Sequence, residues 1–246
     1  MSFEVLATVD LLGGRVVRLR QGDFDDETVY GDDPLAVAVG LVAQGAVWLH
    51  VVDLDGARAG EPRQGSVVEA IVRATAGRAH VEVGGGVRDR GAAEGLFRLG
   101  AGRVVLGTAA LRDPAMVGAL VSAYGTGRVA VALDVRDGKV QAEGWREGSS
   151  ATMEDALARL LDFGARIFEV TAIDRDGTMA GPDLELLGSA VAIAARRGAT
   201  VIAGGGIRGI DDLSTTRSIG CAGAIVGRAI YDGALDLGSA LRTLAG

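Results

Sequence analysis

The 246-residue chain predicts an α/β fold, a (β/α)₈ TIM barrel built from two repeated half barrels. Three observations carry this reading. Eight short apolar runs alternate with eight longer segments of helical spacing. Glycines and aspartates gather where those runs end. The second half of the chain repeats the first at a near-constant offset.

The apolar runs lie near 4–10, 47–53, 79–84, 103–107, 128–134, 166–171, 199–204 and 222–227. They are nearly continuous in Val, Ile, Leu and Ala, as parallel strands are when both faces are covered. Helical spacing marks 34–45, 64–76, 90–100, 113–124, 152–163, 183–197, 209–219 and 234–245. Asp33-Pro34 and Asp113-Pro114 place a capping side chain before a first-turn proline. Thr152 precedes Glu154 and Asp155, whose charges suit the first turn of a helix. Gly-Ala pairs at 45–46, 100–101, 164–165 and 198–199 mark helix ends that feed the next strand.

Strand–helix alternation alone also fits an open doubly wound sheet, and the repeat favours the barrel. Gly84-Gly85-Gly86-Val87-Arg88 returns as Gly204-Gly205-Gly206-Ile207-Arg208, 120 positions later, and Gly107 returns as Gly227 at the same offset. Asp55-Gly56 returns as Asp176-Gly177 and Asp10 as Asp134. Two half barrels that close on each other leave no strand edge unpaired. No linker-like stretch separates them, so a single domain over 1–246 is expected.

Composition narrows the function. A net charge of −7 disfavours nucleic acid as a partner. The N-terminus has no basic segment followed by an apolar stretch, and no long charge-free apolar run occurs, so neither a leader nor a membrane partner is expected. Cys221 is the only cysteine, which fits a reducing cytoplasm. With His50 and His80 as the only histidines, a metal site is not expected. The chain is read as a cytoplasmic monomer that acts on a small molecule.

In such a barrel the site lies at the C-terminal ends of the strands. Asp10, Asp53, Gly84, Gly107, Asp134, Thr171, Gly204 and Gly227 are read as the last residues of the eight strands. Glycines there let backbone N–H groups approach an anion, and a following helix adds its positive end. Gly84–Gly86 with Gly107-Thr108 makes one phosphate cradle. Gly204–Gly206, with Gly205 and Gly206 at its turn, and Gly227-Arg228 make a second across the mouth. Their other reading is tight turns alone. Arg18 and Arg88 are either further phosphate donors or solvated surface residues.

Two facing phosphate sites imply a substrate anchored at both ends, with its reacting centre between them. Asp10 and Asp176 are the carboxylates placed there for proton shuttling. Asp176 could instead be only a turn residue, and Asp10 only an acceptor for loop N–H groups. His50 either orients a substrate hydroxyl or is a satisfied core residue, with Trp48 on the same strand face. His80 and Cys221 read as structural. Trp145, in a loop with Gly144, Gly148, Ser149 and Ser150, reads as a lid that stacks on a flat ring or as a latch for that loop.

The motifs, taken in order, resemble a known family over essentially the whole chain. They are Asp10-x-x-x-Gly14-Arg15-Val16-Val17-Arg18-Leu19, Val51-Val52-Asp53-Leu54-Asp55, Gly84-Gly85-Gly86-Val87-Arg88, Gly107-Thr108-Ala109 and Leu133-Asp134-Val135. Gly144-Trp145, Thr171 with Asp176-Gly177-Thr178, and Gly204-Gly205-Gly206-Ile207 complete the series. The resemblance is to the phosphoribosylformimino-5-aminoimidazole carboxamide ribotide isomerases of histidine biosynthesis. It implies an Amadori rearrangement of an aminoaldose to an aminoketose on a substrate with a phosphate at each end. It makes Asp176 the general acid that opens the ribose ring and Asp10 the base that takes the C2 proton. Asp134 and Thr171 hold the sugar, and no metal or organic cofactor is needed.

The chain is similar also to actinobacterial bifunctional phosphoribosyl isomerases, which act on phosphoribosylanthranilate as well. Those enzymes have Ser where this chain has Gly84, and Arg where it has Glu143, a charge that would repel anthranilate's carboxylate. The histidine-pathway activity alone is therefore favoured, with Arg146 leaving the second activity open. The related cyclase is disfavoured, because Ala7-Thr8-Val9-Asp10 followed by Arg15 replaces its Cys-Leu-Asp strand and lysine. A phosphate-ligand binding barrel without catalysis is the reading from another class.

Overall fold

The computed structural model describes residues 3–142 and 147–244. Its eight barrel strands are Glu4–Leu12, Trp48–Asp53, His80–Gly84, Arg103–Leu106, Val129–Arg136, Ile167–Ala172, Thr200–Gly204 and Gly223–Val226. They pair in parallel in chain order. The last returns to the first, with Gly223 opposite Glu4 and Val226 opposite Ala7, and this closes the barrel.

The strands match the apolar runs to within about two residues, because the sequence carries their burial directly. Val9, Leu49, Val51, Leu106, Val131 and Leu133 have no exposed surface. Each such Val or Leu contributes about 1.5–3 kcal/mol by leaving water. Odd-numbered residues of the first two strands face the surrounding helices. Even-numbered ones point inward, where Leu6 joins Val105, Ala130, Ile167 and Ile202 in a small apolar floor, with Trp48 packed against it.

Helices Pro34–Ala43, Gly65–Thr75, Arg90–Arg98, Pro114–Tyr124, Met153–Asp162, Leu184–Ala195, Ile210–Ser218 and Leu237–Leu244 form the outer layer. Their starts follow the expected capping chemistry. Asp33 accepts from the N–H groups of Leu35 and Ala36, Asp113 from Met116, and Thr152 from Asp155. Each cap satisfies donors that the helix itself leaves open.

Three strands run further than the sequence reading placed them. Asp10, Asp134 and Thr171 are not strand ends, for pairing continues to Leu12, Arg136 and Ala172. The first and fifth strands rise above the rim and turn back as hairpins. Gly13 and Gly14 have φ of +57° and +75°, and Asp137 and Gly138 have +51° and +72°, the paired positive values of a type I′ turn. Arg15–Arg20 then pairs antiparallel with the first strand, and Asp23–Gly31 with it in turn. In the second half Lys139–Ala142 and Glu147–Thr152 take the corresponding places. The half-barrel repeat therefore extends to the structures over the mouth. Among the described residues no helix is long and apolar enough to cross a membrane.

Candidate active site

A cavity of about 270 Å³ opens at the C-terminal ends of the strands. Both glycine triplets line it, as do Asp10, Asp176, Arg18, His50, Arg88, Thr108, Asp134 and Thr171. Gly107, Gly177, Gly227 and Arg228 complete the predicted residues on its wall. Thr178 does not reach it. Its hydroxyl donates to the Arg175 carbonyl at 2.7 Å, so its role is to close the turn after Asp176. Trp145, Gly144, Glu143 and Arg146 lie outside the described residues.

The centre of the cavity holds two carboxylates joined by one guanidinium. Arg18 Nη1 donates to Asp10 Oδ2 at 2.6 Å, and Nη2 donates to Asp176 Oδ1 at 2.9 Å. The Thr8 hydroxyl donates to the other Asp10 oxygen at 2.6 Å. The hairpin delivers this arrangement. The turn at Gly13-Gly14 folds Arg15–Arg20 back over its own strand, so that Val17 faces Asp10 and the next residue reaches both acids. From its sequence position Arg18 is either a phosphate donor or a surface residue. Its terminal nitrogens instead span the two acids, and its guanidinium lies against Gly227, where a Cβ would come within 3.1 Å of Cζ.

Gly177 seats the other partner. It has φ +69°, and a Cβ there would stand 2.8 Å from the Leu19 carbonyl oxygen. Only glycine brings the Asp176 turn so close to the Arg18 strand. The contact is tied by the Gln21 N–H, which donates to the Asp176 carbonyl at 3.2 Å. Burial raises the Asp176 carboxyl above the ordinary range, and Asp10 adds to this, although Arg18 acts the other way. Burial would lower the Arg18 guanidinium, but the two aspartates outweigh it and leave it firmly protonated.

The repeat is not symmetric in its acids. Asp55, the counterpart of Asp176, accepts from the Gly13 N–H at 2.8 Å and so braces the hairpin turn. Asp53 accepts backbone N–H groups of Gly56, Arg63 and Gln64 and organises the loop after its strand. Of these two counterparts only Asp176 reaches Arg18.

The glycine triplets serve as tight turns and also face the cavity. Gly85 and Gly86 have φ of +97° and +74°, and Gly205 and Gly206 both +83°. A Cβ at Gly86 would stand 2.6 Å from the Glu61 carbonyl carbon, and one at Gly206 would overlap the Gly181 carbonyl. Each triplet is thus packed against the loop of the preceding unit, with its backbone on the cavity wall. Arg228 ties one of these regions to the acid turn, donating to the Gly177 carbonyl at 2.7 Å and to Asp232 at 2.8 Å.

Below the rim lies a charged layer that the sequence reading missed. His50 Nδ1 is 2.6 Å from Glu82 Oε1, and Arg103 Nη1 donates to Glu82 Oε2 at 2.7 Å. Glu169 Oε2 lies 3.9 Å from the same imidazole nitrogen. The signal was present, since Glu82, Arg103 and Glu169 interrupt apolar runs at inward positions. His50 is both a satisfied residue and part of the cavity wall. Its donor atom and those of Glu82 and Glu169 lie within 4.8 Å of one another, as the ligands of a metal ion would. Arg103 and His50 already bind both Glu82 oxygens, which disfavours a further cation there. Cys221 is buried, and burial pushes its thiol up to about 12, in keeping with packing.

A family model described as histidine biosynthesis protein matches residues 4–236. Relatives named 1-(5-phosphoribosyl)-5-((5-phosphoribosylamino)methylideneamino)imidazole-4-carboxamide isomerase resemble the chain over nearly its whole length. The one from Roseiflexus castenholzii is 45% identical, covering 97% of this chain and 98% of the relative. The one from Thermomicrobium roseum is 46% identical over 93% and 92%. That from Brevibacillus brevis is 41% identical over 100% and 98%.

Proposed function

Because the chain belongs to the histidine biosynthesis protein family, we propose that its cavity isomerises a bisphosphorylated aminoaldose with Asp176 as acid and Asp10 as base. The chain is an aldose–ketose isomerase of histidine biosynthesis, and its reaction is the Amadori rearrangement of the substrate named for its relatives. The observation that supports the assignment of roles is the Arg18-bridged pair of carboxylates between two glycine loops.

The steps follow from that pair. Asp176, raised by burial, gives its proton to the ribose ring oxygen. The bond from C1 to that oxygen breaks, and the C1–N bond becomes an iminium. Asp10 removes the proton from C2, and the electron pair moves to form an enolamine. Tautomerisation returns a proton to C1 and leaves a ketone at C2, so substrate and product are isomers. Arg18 keeps the paired acids from repelling each other and holds them in register. The two glycine loops, with Arg88 and Arg228 beside them, take the terminal phosphates. Asp134 and Thr171 hold the sugar between.

The test is a side-by-side assay of the histidine-pathway substrate and phosphoribosylanthranilate. Turnover of the first at least about 100-fold faster, by kcat/KM, is expected. Comparable rates would establish the bifunctional reading, and turnover of neither would support a binding barrel without catalysis.

A further inference from the structure

We propose that Glu82 is a positioning residue for the isomerase. It holds His50 with Nδ1 protonated and turned away from the cavity, so that Nε2 is the ring nitrogen presented to the substrate. The inference rests on the reading of the cavity as the isomerase site and extends it to a residue below the rim.

Geometry carries it. Glu82 has no exposed surface, and its two oxygens are both taken, one by His50 Nδ1 at 2.6 Å and one by Arg103 at 2.7 Å. Arg103 is fixed in turn, with its guanidinium carbon 4.1 Å from the centre of the Trp48 ring. The carboxylate is therefore clamped from below by a stacked arginine and cannot follow the imidazole if it turns. His50 lines the cavity, and with Nδ1 engaged its other nitrogen is the one left for a ligand.

The charges around His50 come from four strands. Asp10 faces it from the first strand, Glu82 from the third and Glu169 from the sixth, with Arg103 of the fourth behind Glu82. Glu169 is raised well above the carboxylate range by burial and then by the charge of Glu82. Burial alone would raise Glu82 too, but its hydrogen bond to His50, then the charges of His50 and Arg103, lower it. Glu82 is thus the more readily ionised of the two acids and the acceptor for Nδ1–H. Burial would lower the imidazole, but Glu169 and Glu82 outweigh it and push it up to about 9. At neutral pH the ring then offers an N–H donor at Nε2, suited to a phosphate or hydroxyl oxygen.

The experiment has two arms. In ¹⁵N-labelled wild-type protein, which has two histidines, the His50 signals are those lost in His50→Ala. Nδ1 should stay protonated between pH 6 and pH 10, through the loss of the Nε2 proton. A neutral form with a bare Nδ1 would overturn the proposal, and this arm holds even if substitutions at Glu82 do not fold. In the second arm, Glu82→Gln should lower kcat/KM about 10-fold or more, whereas the same change in a His50→Ala background should add less than about 2-fold. A full, multiplicative loss in that background would show that Glu82 acts on stability or elsewhere, and would also overturn it. The two readings fail separately. Absence of wild-type isomerisation counts against the catalytic assignment while the nitrogen spectra still report on Glu82.

Discussion

Asp176 is held where its charge is costly, and this makes a prediction about stability. Its carboxyl is raised by burial and by Asp10 despite the pairing with Arg18. A carboxyl whose folded pKa exceeds its unfolded value binds its proton more tightly in the folded state. Its contribution is therefore best below the unfolded value of about 3.9, and stability falls as pH rises through the folded pKa. Asp176→Asn keeps the shape without the charge. At pH 7 it should raise Tm, by about 2–4 °C for each kcal/mol recovered, and the gain should vanish at pH 3. Over the same change kcat should fall at least about 100-fold. Calorimetry at the two pH values together with turnover checks both halves. A site that trades stability for a poised acid predicts these opposite movements.

At the scale of elements, the hairpin and the acid turn must meet, and Gly177 sets how closely. Gly177→Ala places a Cβ against the Leu19 carbonyl at a φ of +69°. The turn should move off the Arg18 strand, with a loss of about 1–2 kcal/mol from the strained backbone. Steady-state kinetics should show the fall mainly in kcat, because the acid is displaced while the glycine loops stay in place. This scale also marks how far the sequence could be read. Buried parallel strands announce themselves as continuous apolar runs, so all eight were legible to within about two residues. Asp23–Gly31 was not, because DFDDETVYG is polar and mostly exposed and has no apolar face to betray it. Its trace was the turn pair Gly13-Gly14, and in the second half Asp137-Gly138. Glu82 and Glu169 escaped for the opposite reason. They sit within apolar runs, and only the inward parity shared with His50 and Thr171 gave them away. The bridging of Asp10 to Asp176 by Arg18 needed the hairpin, which spacing alone did not reveal.

For the whole molecule, closure of the sheet joins the site as well as the fold. Gly223–Val226 pairs with the first strand on one side and with Thr200–Gly204 on the other. A chain ending at Ser218 lacks that strand and helix Leu237–Leu244, which exposes two apolar edges. It should elute as aggregate in size-exclusion chromatography rather than as a folded, smaller barrel. The repeat places a glycine triplet in each half, yet the acids differ between halves, with Asp55 spent on the hairpin and Asp176 on Arg18. That division gives one cavity two similar ends and a single reacting centre.

Binding and turnover measured together on Asp10→Asn probe that centre most directly. If the carboxylate abstracts the proton while the glycine loops hold the ligand, calorimetric affinity for the bisphosphorylated substrate stays within about 3-fold of wild type. Under the same account kcat drops at least about 100-fold. Near-normal turnover in this variant would contradict the assignment of Asp10 as the base.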